Sequence, residues 1–324
     1  MLDAVGDLDV VVRKIRVETS EIRSFVLESA SGGPLPAFEA GAHIDVYPLP
    51  GICRQYSLVN DPADNSRYVL GVKREPNSRG GSTAMHGQLT EGSRLKISRP
   101  RNNFALRVNS GRSLLMAGGI GVTPLLSMAQ ALAAKRADFV LHYFARSAQE
   151  LAFRDFITRS PWADHVLYHF GLVPPVLNDV LDEILSAPGR DDVIYLCGPN
   201  PFMDVVRSSA EQANWPARSL VLEHFSAEPP KLTPGDSEFV VRLAKRGIEL
   251  LVPSGKTIIS VLREAGIEIK TSCEQGVCGT CLTAVIDGEP EHNDVFLSDE
   301  ERESGRLMTP CVSRAKSKLL VLDL

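Results

Sequence analysis

The 324-residue sequence predicts a multidomain protein with an antiparallel β-barrel, an α/β domain and a small α+β domain. Three observations support this fold class. Six short β-rich segments occupy residues 8–100, strands alternate with helices from about residue 110, and a Pro-rich stretch at 226–238 precedes a final block of strands. The length fits two or three domains of ~100–200 residues each. The predicted ranges are a barrel at 1–107, an α/β domain at 108–227, a linker at 228–238 and the last domain at 239–324.

The six N-terminal segments are rich in Val, Ile, Tyr and Leu, and Gly, Pro, Asn and Asp separate them. Such short strands at close spacing predict an antiparallel barrel. The segments are DLDVVVRKIRV, IRSFVLES, HIDVYPL, RQYSLVN, RYVLGVKRE and RLKISRP.

The middle of the chain alternates strands and helices. SLLMAG, FVLHYFA and DDVIYLCG predict buried strands, and PFMDVVRSSAEQA predicts a helix. TPLLSMAQALAAK predicts another helix, with Thr123 as its N-cap and Pro124 at the first helical position. This alternation predicts a parallel α/β domain.

The C-terminal block predicts a hairpin from EFVVRLAKRGIELLVPSG and a short helix from TIISVLREAG. TAVIDGE and LLVLDL predict two further strands. Together they form an α+β domain of fewer than 90 residues.

Composition excludes several classes of protein. The net charge of -5 and pI of 5.9 argue against nonspecific nucleic-acid binding, which needs basic surface. The N-terminus lacks the basic and apolar regions of a secretory signal. The uncharged run 114–134 contains a Gly-Gly pair and Pro124, which would interrupt a membrane-spanning helix. We therefore expect no membrane span, a cytoplasmic location and reduced thiols.

Four of the six cysteines follow a recognisable spacing. Cys273, Cys278 and Cys281 form C-x4-C-x2-C, and Cys311 follows after 29 residues. This is the arrangement of plant-type [2Fe–2S] domains, whereas structural zinc sites usually pair their ligands in two short motifs. Gly276 and Gly279 favour the cluster, because a loop that wraps it needs turns without Cβ. Structural zinc is the alternative. The remaining two cysteines, Cys53 and Cys197, are not expected to bind the metal.

Two stretches of the barrel are candidate phosphate or ring sites. In GVKREPNSRGGSTAM, basic side chains accompany Gly80, Gly81 and Ser82, whose backbone N–H groups can surround a phosphate. In RQYSL, the guanidinium of Arg54 can hold a phosphate and Tyr56 can cover a flat ring. A solvated turn and an ordinary barrel strand are the respective alternatives.

AGGIGVTP lies between a strand and a helix, where open α/β sheets bind their ligands. It departs from the dinucleotide fingerprint, because Pro124 replaces the third glycine and no acid follows within FVLHYFAR. CGPNPFM, at the end of another strand, supplies a second edge for the same crevice.

RQYSL, RGGS, GGIGVTP, CGPNPFM and the cysteine pattern occur together in this order. The chain thereby resembles the phthalate dioxygenase reductase family, which includes vanillate O-demethylase reductases, over nearly its whole length. The resemblance implies a flavin barrel that binds FMN rather than FAD, a nicotinamide domain that uses NADH, and a β-grasp [2Fe–2S] ferredoxin domain.

The resemblance also implies roles for individual residues. It assigns FMN to Arg54, Tyr56, Ser57, Val72, Lys73, Arg79, Gly80, Gly81 and Ser82, with Thr123 reaching the flavin phosphate and Phe225 near the flavin ring. It assigns the nicotinamide crevice to Gly118, Gly119, Gly121, Gly198 and Pro199, with Cys197 near the transferred hydride. Ser57, Cys197 and Phe225 are therefore the candidate catalytic residues. A core phenylalanine and a buried structural thiol are the alternatives for Phe225 and Cys197.

The implied function is an NADH-dependent oxidoreductase. Electrons would pass from NADH through FMN and [2Fe–2S] to a Rieske-type terminal oxygenase or O-demethylase of aromatic compound degradation. A free-standing NADH:acceptor reductase and a non-redox zinc adaptor are the alternatives. Use of NADPH also stays open, because Arg146 and Ser147 in FARSAQE are candidates to contact a 2′-phosphate.

Overall fold

An antiparallel sheet and a parallel sheet share the first of two units into which the chain divides. These units are Met1–Phe225 and Ser226–Leu324. The structure, a computed structural model, describes residues 8–76, 80–107, 111–225 and 237–324. The predicted boundary between the barrel and the α/β domain falls inside the first unit and stays a prediction. The predicted linker lies outside the described residues except for its last two.

The N-terminal sheet has six antiparallel strands, as the sequence predicts. Its elements are β1 (Leu8–Val17), β2 (Ile22–Ser29), β3 (His43–Leu49), β4 (Ile52–Ser57), β5 (Tyr68–Lys73), helix α1 (Gly81–Gly87) and β6 (Arg94–Ile97). The strand order is β4-β3-β6-β1-β2-β5, and a bridge between Leu58 and Leu70 joins the two edges of the sheet. The inward side chains, among them Phe25, Ile44 and Leu70, are fully buried.

The glycine-rich segment of the barrel is the start of a helix, not a hairpin turn. Gly80 is the N-cap and α1 runs through the following seven residues. This segment has no apolar periodicity, so its sequence does not predict the helix.

The parallel sheet follows. Its elements are β7 (Ser113–Gly118), α2 (Val122–Ala134), β8 (Phe139–Ala145), α3 (Arg154–Thr158), β9 (Val166–Phe170), α4 (Val176–Leu185), β10 (Val193–Cys197), α5 (Asn200–Gln212) and β11 (Leu220–Glu223). All neighbours in the order β11-β10-β7-β8-β9 are parallel. Leu115 and Tyr143 pack with α2 on one face, and Leu114 and Met116 pack with α4 and α5 on the other. Burial on both faces accounts for the continuous apolar runs of these strands.

The predicted N-cap of α2 is wrong by two residues. A 3-10 turn at Gly119–Gly121 continues directly into the helix, and Gly121 is the N-cap. Thr123 lies in the first turn, and its hydroxyl donates a hydrogen bond to the Ile120 carbonyl at 3.0 Å. An N-cap hydroxyl must instead accept from an N–H further along the helix.

Among the described residues, none of the helices has the length and hydropathy needed to cross a bilayer. The uncharged run 114–134 is divided between β7 and α2, and the break falls at the predicted Gly-Gly pair.

The second unit has the predicted α+β architecture. Its elements are β12 (Phe239–Leu243), β13 (Ile248–Val252), α6 (Ile258–Glu264), β14 (Thr283–Asp287), β15 (Pro290–Glu291), α7 (Asp299–Ser304), β16 (Leu307–Met308), β17 (Arg314–Ala315) and β18 (Leu319–Leu322). One sheet runs β13-β12-β18-β14-β16, and β15 pairs with β17. The predicted hairpin is the antiparallel pair β12–β13. The Thr257 hydroxyl caps α6 by accepting from the Ser260 N–H at 3.1 Å, and Leu262 packs into the core.

Candidate functional site

The ends of β7 and β10 meet at the point where the strand order reverses, and this edge of the sheet is called the crevice below. Open α/β sheets bind ligands at such a switch point. The two glycine segments touch there: a Cβ at Gly121 would clash with the Cys197 carbonyl, and a Cβ at Gly198 would lie 3.0 Å from Gly118 Cα. No heavy atom lies within 4 Å of the Cβ position of Gly119. The structure thus brings the two predicted nicotinamide segments together and leaves open space beside them.

Three polar groups converge on the same edge. The Ser57 hydroxyl, at the end of β4, donates to Glu223 Oε2 at 3.5 Å. Glu223 ends β11, and its register partner on β10 is Cys197, which is fully buried. The exposed ring of Phe225 follows two residues later.

Burial controls the protonation of Glu223 and Cys197. It raises the pKa of Glu223 to about 8, against the opposing effect of the hydrogen bond from Ser57. It also raises the pKa of the Cys197 thiol, and the neighbouring Glu223 carboxylate adds to that rise. Both shifts favour the protonated, uncharged forms of the two side chains.

Glu223 was missed from the sequence. The only available signal was its position in LEHF, at the carboxyl end of a short apolar segment that was not identified as a strand.

A second cluster lies at the start of α1. The side chain of Arg54 crosses Gly81 so closely that a Cβ there would lie 2.5 Å from Arg54 Cγ. The Ser82 hydroxyl accepts from the Glu75 N–H at 3.1 Å. A guanidinium, a hydroxyl and a glycine without side chain therefore share one small region, and this set suits the phosphate of a flavin nucleotide.

The other predicted flavin residues occupy varied positions. Tyr56 packs against the barrel core, and burial raises the pKa of its phenol. The side chain of Val72 is fully buried, so only its backbone can face a ligand. The Lys73 ammonium lies 3.6 Å from Glu75 and 4.0 Å from Glu21.

Thr123 is almost fully buried, and its methyl group would touch a Cβ at Gly71 on β5. Arg79 lies outside the described residues.

The four spaced cysteines of the second unit are buried together. Cys281 and Cys311 share a hydrogen bond between sulfurs 3.3 Å apart, and Cys273 shares one with Cys278. The backbone also points donors at them: the Gln275 N–H lies 3.3 Å from Cys273 Sγ. Four thiols with N–H donors aimed at sulfur have the ligand chemistry of an iron–sulfur cluster.

Glycine is required in this loop. Gly276 and Gly279 adopt φ values of 72° and 66°, which strongly disfavour other residues. A Cβ at Gly279 would also overlap the ring of Phe296.

Each sulfur pair contains one acidified thiol. The hydrogen bond with Cys273 lowers the pKa of Cys278 to about 6, and the hydrogen bond with Cys311 lowers the pKa of Cys281. The thiolate is the form that binds metal. The other two cysteines, Cys53 and Cys197, lie on β4 and β10 of the first unit.

The comparison with known proteins agrees with this site. Residues 241–316 match the model of the 2Fe-2S iron-sulfur cluster binding domain, which supports the cluster over structural zinc. The vanillate O-demethylase oxidoreductase of Pseudomonas sp. (strain HR199 / DSM 7063) is 46% identical over 98% of this chain and 100% of its own length.

Two solved structures are similar over almost the whole chain. One is an intact type IV self-sufficient cytochrome P450 monooxygenase, 34% identical with a TM-score of 0.85 over 98% of this chain. The chain spans 41% of that protein. The other is phthalate dioxygenase reductase, described as a modular structure for electron transfer from pyridine nucleotides to [2Fe-2S], with 38% identity and a TM-score of 0.75 over 98% of both chains.

These matches extend through the barrel, the parallel sheet and the cysteine domain, and they confirm the predicted fold class. The chain belongs to the phthalate dioxygenase reductase family, as its ordered motifs predict.

Proposed function

We propose that this protein is the NADH-dependent reductase component of a Rieske-type aromatic-ring oxygenase or O-demethylase system. It carries electrons from NADH through FMN and a [2Fe–2S] cluster to the oxygenase. The observation that carries the proposal is the presence, in one chain, of a glycine-lined nucleotide crevice, a flavin phosphate cluster and a buried four-cysteine site. Its relatives include a vanillate O-demethylase oxidoreductase and a phthalate dioxygenase reductase, which supports the same partner class.

The bound groups would supply the redox chemistry, in which a flavin links the two-electron chemistry of nicotinamide to the one-electron chemistry of an iron–sulfur cluster. The chain supplies position and charge. Gly118, Gly121 and Gly198 let the two strand ends pack closely, Gly119 leaves open space for a dinucleotide beside them, and Arg54 and Ser82 hold the flavin phosphate. Phe225 covers the ring site.

Ser57, Glu223 and Cys197 keep the crevice uncharged at neutral pH. Glu223 holds its proton at the carboxyl group, and Ser57 Oγ is hydrogen-bonded to it. A neutral lining avoids repulsion between a carboxylate and the negative charge that a flavin ring would gain on accepting a hydride.

The two sulfur pairs support the proposed cluster ligands. Cys273 with Cys278, and Cys281 with Cys311, are the two proposed pairs. No disulfide links any of the six cysteines, all of which lie among the described residues, and this is compatible with the reducing cytoplasmic location that we propose.

Anaerobic stopped-flow mixing tests the function. The purified protein, NADH and the oxygenase component of a vanillate O-demethylase should together bleach the Rieske absorbance. Reduction of cytochrome c without reduction of any Rieske protein would favour the free-standing reductase. A colourless protein that contains zinc would contradict the electron-transfer function.

The flavin cluster gives one prediction. Arg54→Ala combined with Ser82→Ala should weaken FMN binding, because charge-assisted hydrogen bonds to phosphate contribute ~1.5–3 kcal/mol each. Fluorescence titration of the flavin-free protein measures the affinity, and excess FMN should restore activity. Arg13→Ala, which removes an exposed arginine from β1, is the control. Equal flavin retention in the double variant and the parent would contradict the proposed phosphate site.

Glu223 gives a prediction on pH. Its folded pKa lies above the usual value of a glutamate, so the folded state holds a proton that the unfolded state releases between about pH 4.5 and pH 8. The parent should therefore lose stability as the pH rises through this window, by the linkage of proton binding to folding.

Glu223→Gln removes this dependence because the amide resembles the protonated carboxyl group. The Tm of the variant should match that of the parent near pH 5 and exceed it by a few degrees near pH 8.5. Thermal melts at several pH values, followed by flavin release, measure the difference. The exposed Glu183→Gln change on α4 is the control. A constant Tm difference between pH 5 and pH 8.5 would mean that Glu223 is ionised in the folded protein.

A further inference from the structure

Arg146 and Ser147 directly follow β8 at the carboxyl edge of the parallel sheet. β8 is the neighbour of β7, whose end forms the glycine turn of the crevice. In dinucleotide-binding sheets, the residues after this second strand face the adenosine ribose. An acid there accepts the 2′-hydroxyl of NAD, whereas an arginine accommodates the 2′-phosphate of NADP. The sequence shows the arginine but no acid within the strand.

The structure supplies two acids that the local sequence does not reveal. Glu150, from the 3-10 turn Ala148–Glu150, pairs with Arg146 Nε at 2.6 Å. Glu21, just before β2 of the barrel, lies 3.6 Å from Arg146 NH2. Two of the Arg146 nitrogens that would bind a phosphate are therefore already paired with carboxylates.

A second cation, Lys73, shares Glu21 with Arg146 and does not reverse this charge balance. Lys73 lies 4.0 Å from Glu21 and 3.6 Å from Glu75. Two cations, Arg146 and Lys73, thus stand against three carboxylates, those of Glu21, Glu75 and Glu150, with a net charge of −1 for the group. A dianionic 2′-phosphate would add like charge to this group, whereas a ribose hydroxyl can donate a hydrogen bond to a carboxylate.

We propose that Glu150 is the specificity-determining residue for the coenzyme. It accepts the ribose 2′-hydroxyl and neutralises Arg146, and Glu21 reinforces the exclusion of a 2′-phosphate. The inference rests on the proposed nicotinamide function and specifies its substrate as NADH. The charges are exposed, with Arg146 at 75% and Glu150 at 38% of full side-chain exposure, so the expected selectivity from this one carboxylate is modest.

Binding of half-coenzymes to the flavin- and cluster-loaded protein tests the inference without turnover. The probes are adenosine 2′,5′-bisphosphate and 5′-AMP, measured by calorimetry at low salt. Glu150→Gln should tighten the bisphosphate about fivefold and should not tighten 5′-AMP. The gain should shrink in high salt, because screening weakens exposed charges. The kcat/KM ratio for NADPH over NADH should rise in parallel.

Two further variants make the result specific. Adding Arg146→Ala to Glu150→Gln should cancel the gain, because the released arginine is its source. Glu211→Gln breaks another exposed i,i+4 pair with an arginine, Arg207 on α5, and should leave both affinities at the parent values.

The outcomes separate the two proposals. If the parent binds 5′-AMP but Glu150→Gln leaves the ratio of the two affinities unchanged, the specificity role is wrong and the nicotinamide function stands. Equal changes in both affinities overturn the role in the same way. If the parent binds neither probe nor NAD+, the nicotinamide function is wrong. The specificity role is then wrong as well, because it rests on that function.

Discussion

Cys311→Ser should abolish the visible absorbance of the [2Fe–2S] cluster while flavin remains bound. Cys311 is 5% exposed, and its sulfur lies 3.3 Å from that of Cys281. Its loss removes one thiolate from a four-thiolate set, and a serine hydroxyl is a far poorer ligand for iron. The flavin cluster lies in the other unit, so NADH should still reduce the flavin. Electron delivery to an oxygenase should fall to background.

Iron content and the absorbance of the purified variant measure the effect, and EPR of the reduced protein identifies any residual cluster. Cys53→Ser is the matched control, because that cysteine is partly exposed on β4 and belongs to the first unit. It should retain about two irons per chain, as in any [2Fe–2S] protein. A normal cluster spectrum in Cys311→Ser would show that the fourth ligand is another group.

Local patterns predicted most of the fold. The parallel strands are continuous apolar runs because both faces of their sheet are buried, and β2, β3, β7 and β8 have the predicted ends. The cysteine spacing predicted the ligand set for a similar reason, since three of its members lie in one loop.

Among the described residues, four helices, α1, α3, α4 and α7, were not predicted. Helix α3 has only five residues, and the apolar stripe of α4, made of Leu177, Leu181 and Leu185, was overlooked. The other two lack an apolar stripe. Helix α1 begins at glycines, and α7 is almost entirely charged. The start of α7 was nevertheless readable as a capping box: the Ser298 hydroxyl accepts from the Glu301 N–H, and the Glu301 carboxylate accepts from the Ser298 N–H.

The missed site residues depend on contacts between distant parts of the chain. Glu223 joins Ser57 across 166 positions, and Glu21 reaches Arg146 from a different sheet. No periodicity or spacing encodes such a pair, because each residue is ordinary within its own segment. The protonation of the crevice and the charge balance at the ribose edge therefore emerge only when the strands are assembled.

Gly121→Ala should slow the reduction of flavin by NADH about a hundredfold, the cost of a displacement near 1 Å at a reacting centre. The φ of Gly121 is −61°, which any residue can adopt, so its backbone conformation does not require glycine. Glycine is required because Gly121 lies so close to the end of β10. An added Cβ would clash with the Cys197 carbonyl and lie 2.7 Å from the Gly198 nitrogen. Backbone atoms of a central strand cannot move aside as a flexible side chain can, so the crevice must widen.

Stopped-flow absorbance of the flavin measures this rate, and the cluster spectrum should be normal because the cysteines lie in the second unit. Gly87→Ala, at the end of α1, is the control, since nothing lies within 4 Å of its Cβ position. Both variants add one methyl group, but only Gly121→Ala forces β7 and β10 apart. If Gly121→Ala reduced its flavin at the parental rate with an unchanged affinity for NADH, the coenzyme would not depend on the contact between these strand ends. The hydride would then have to reach the flavin from another side of the barrel, and Cys197 and Gly198 would be structural residues only.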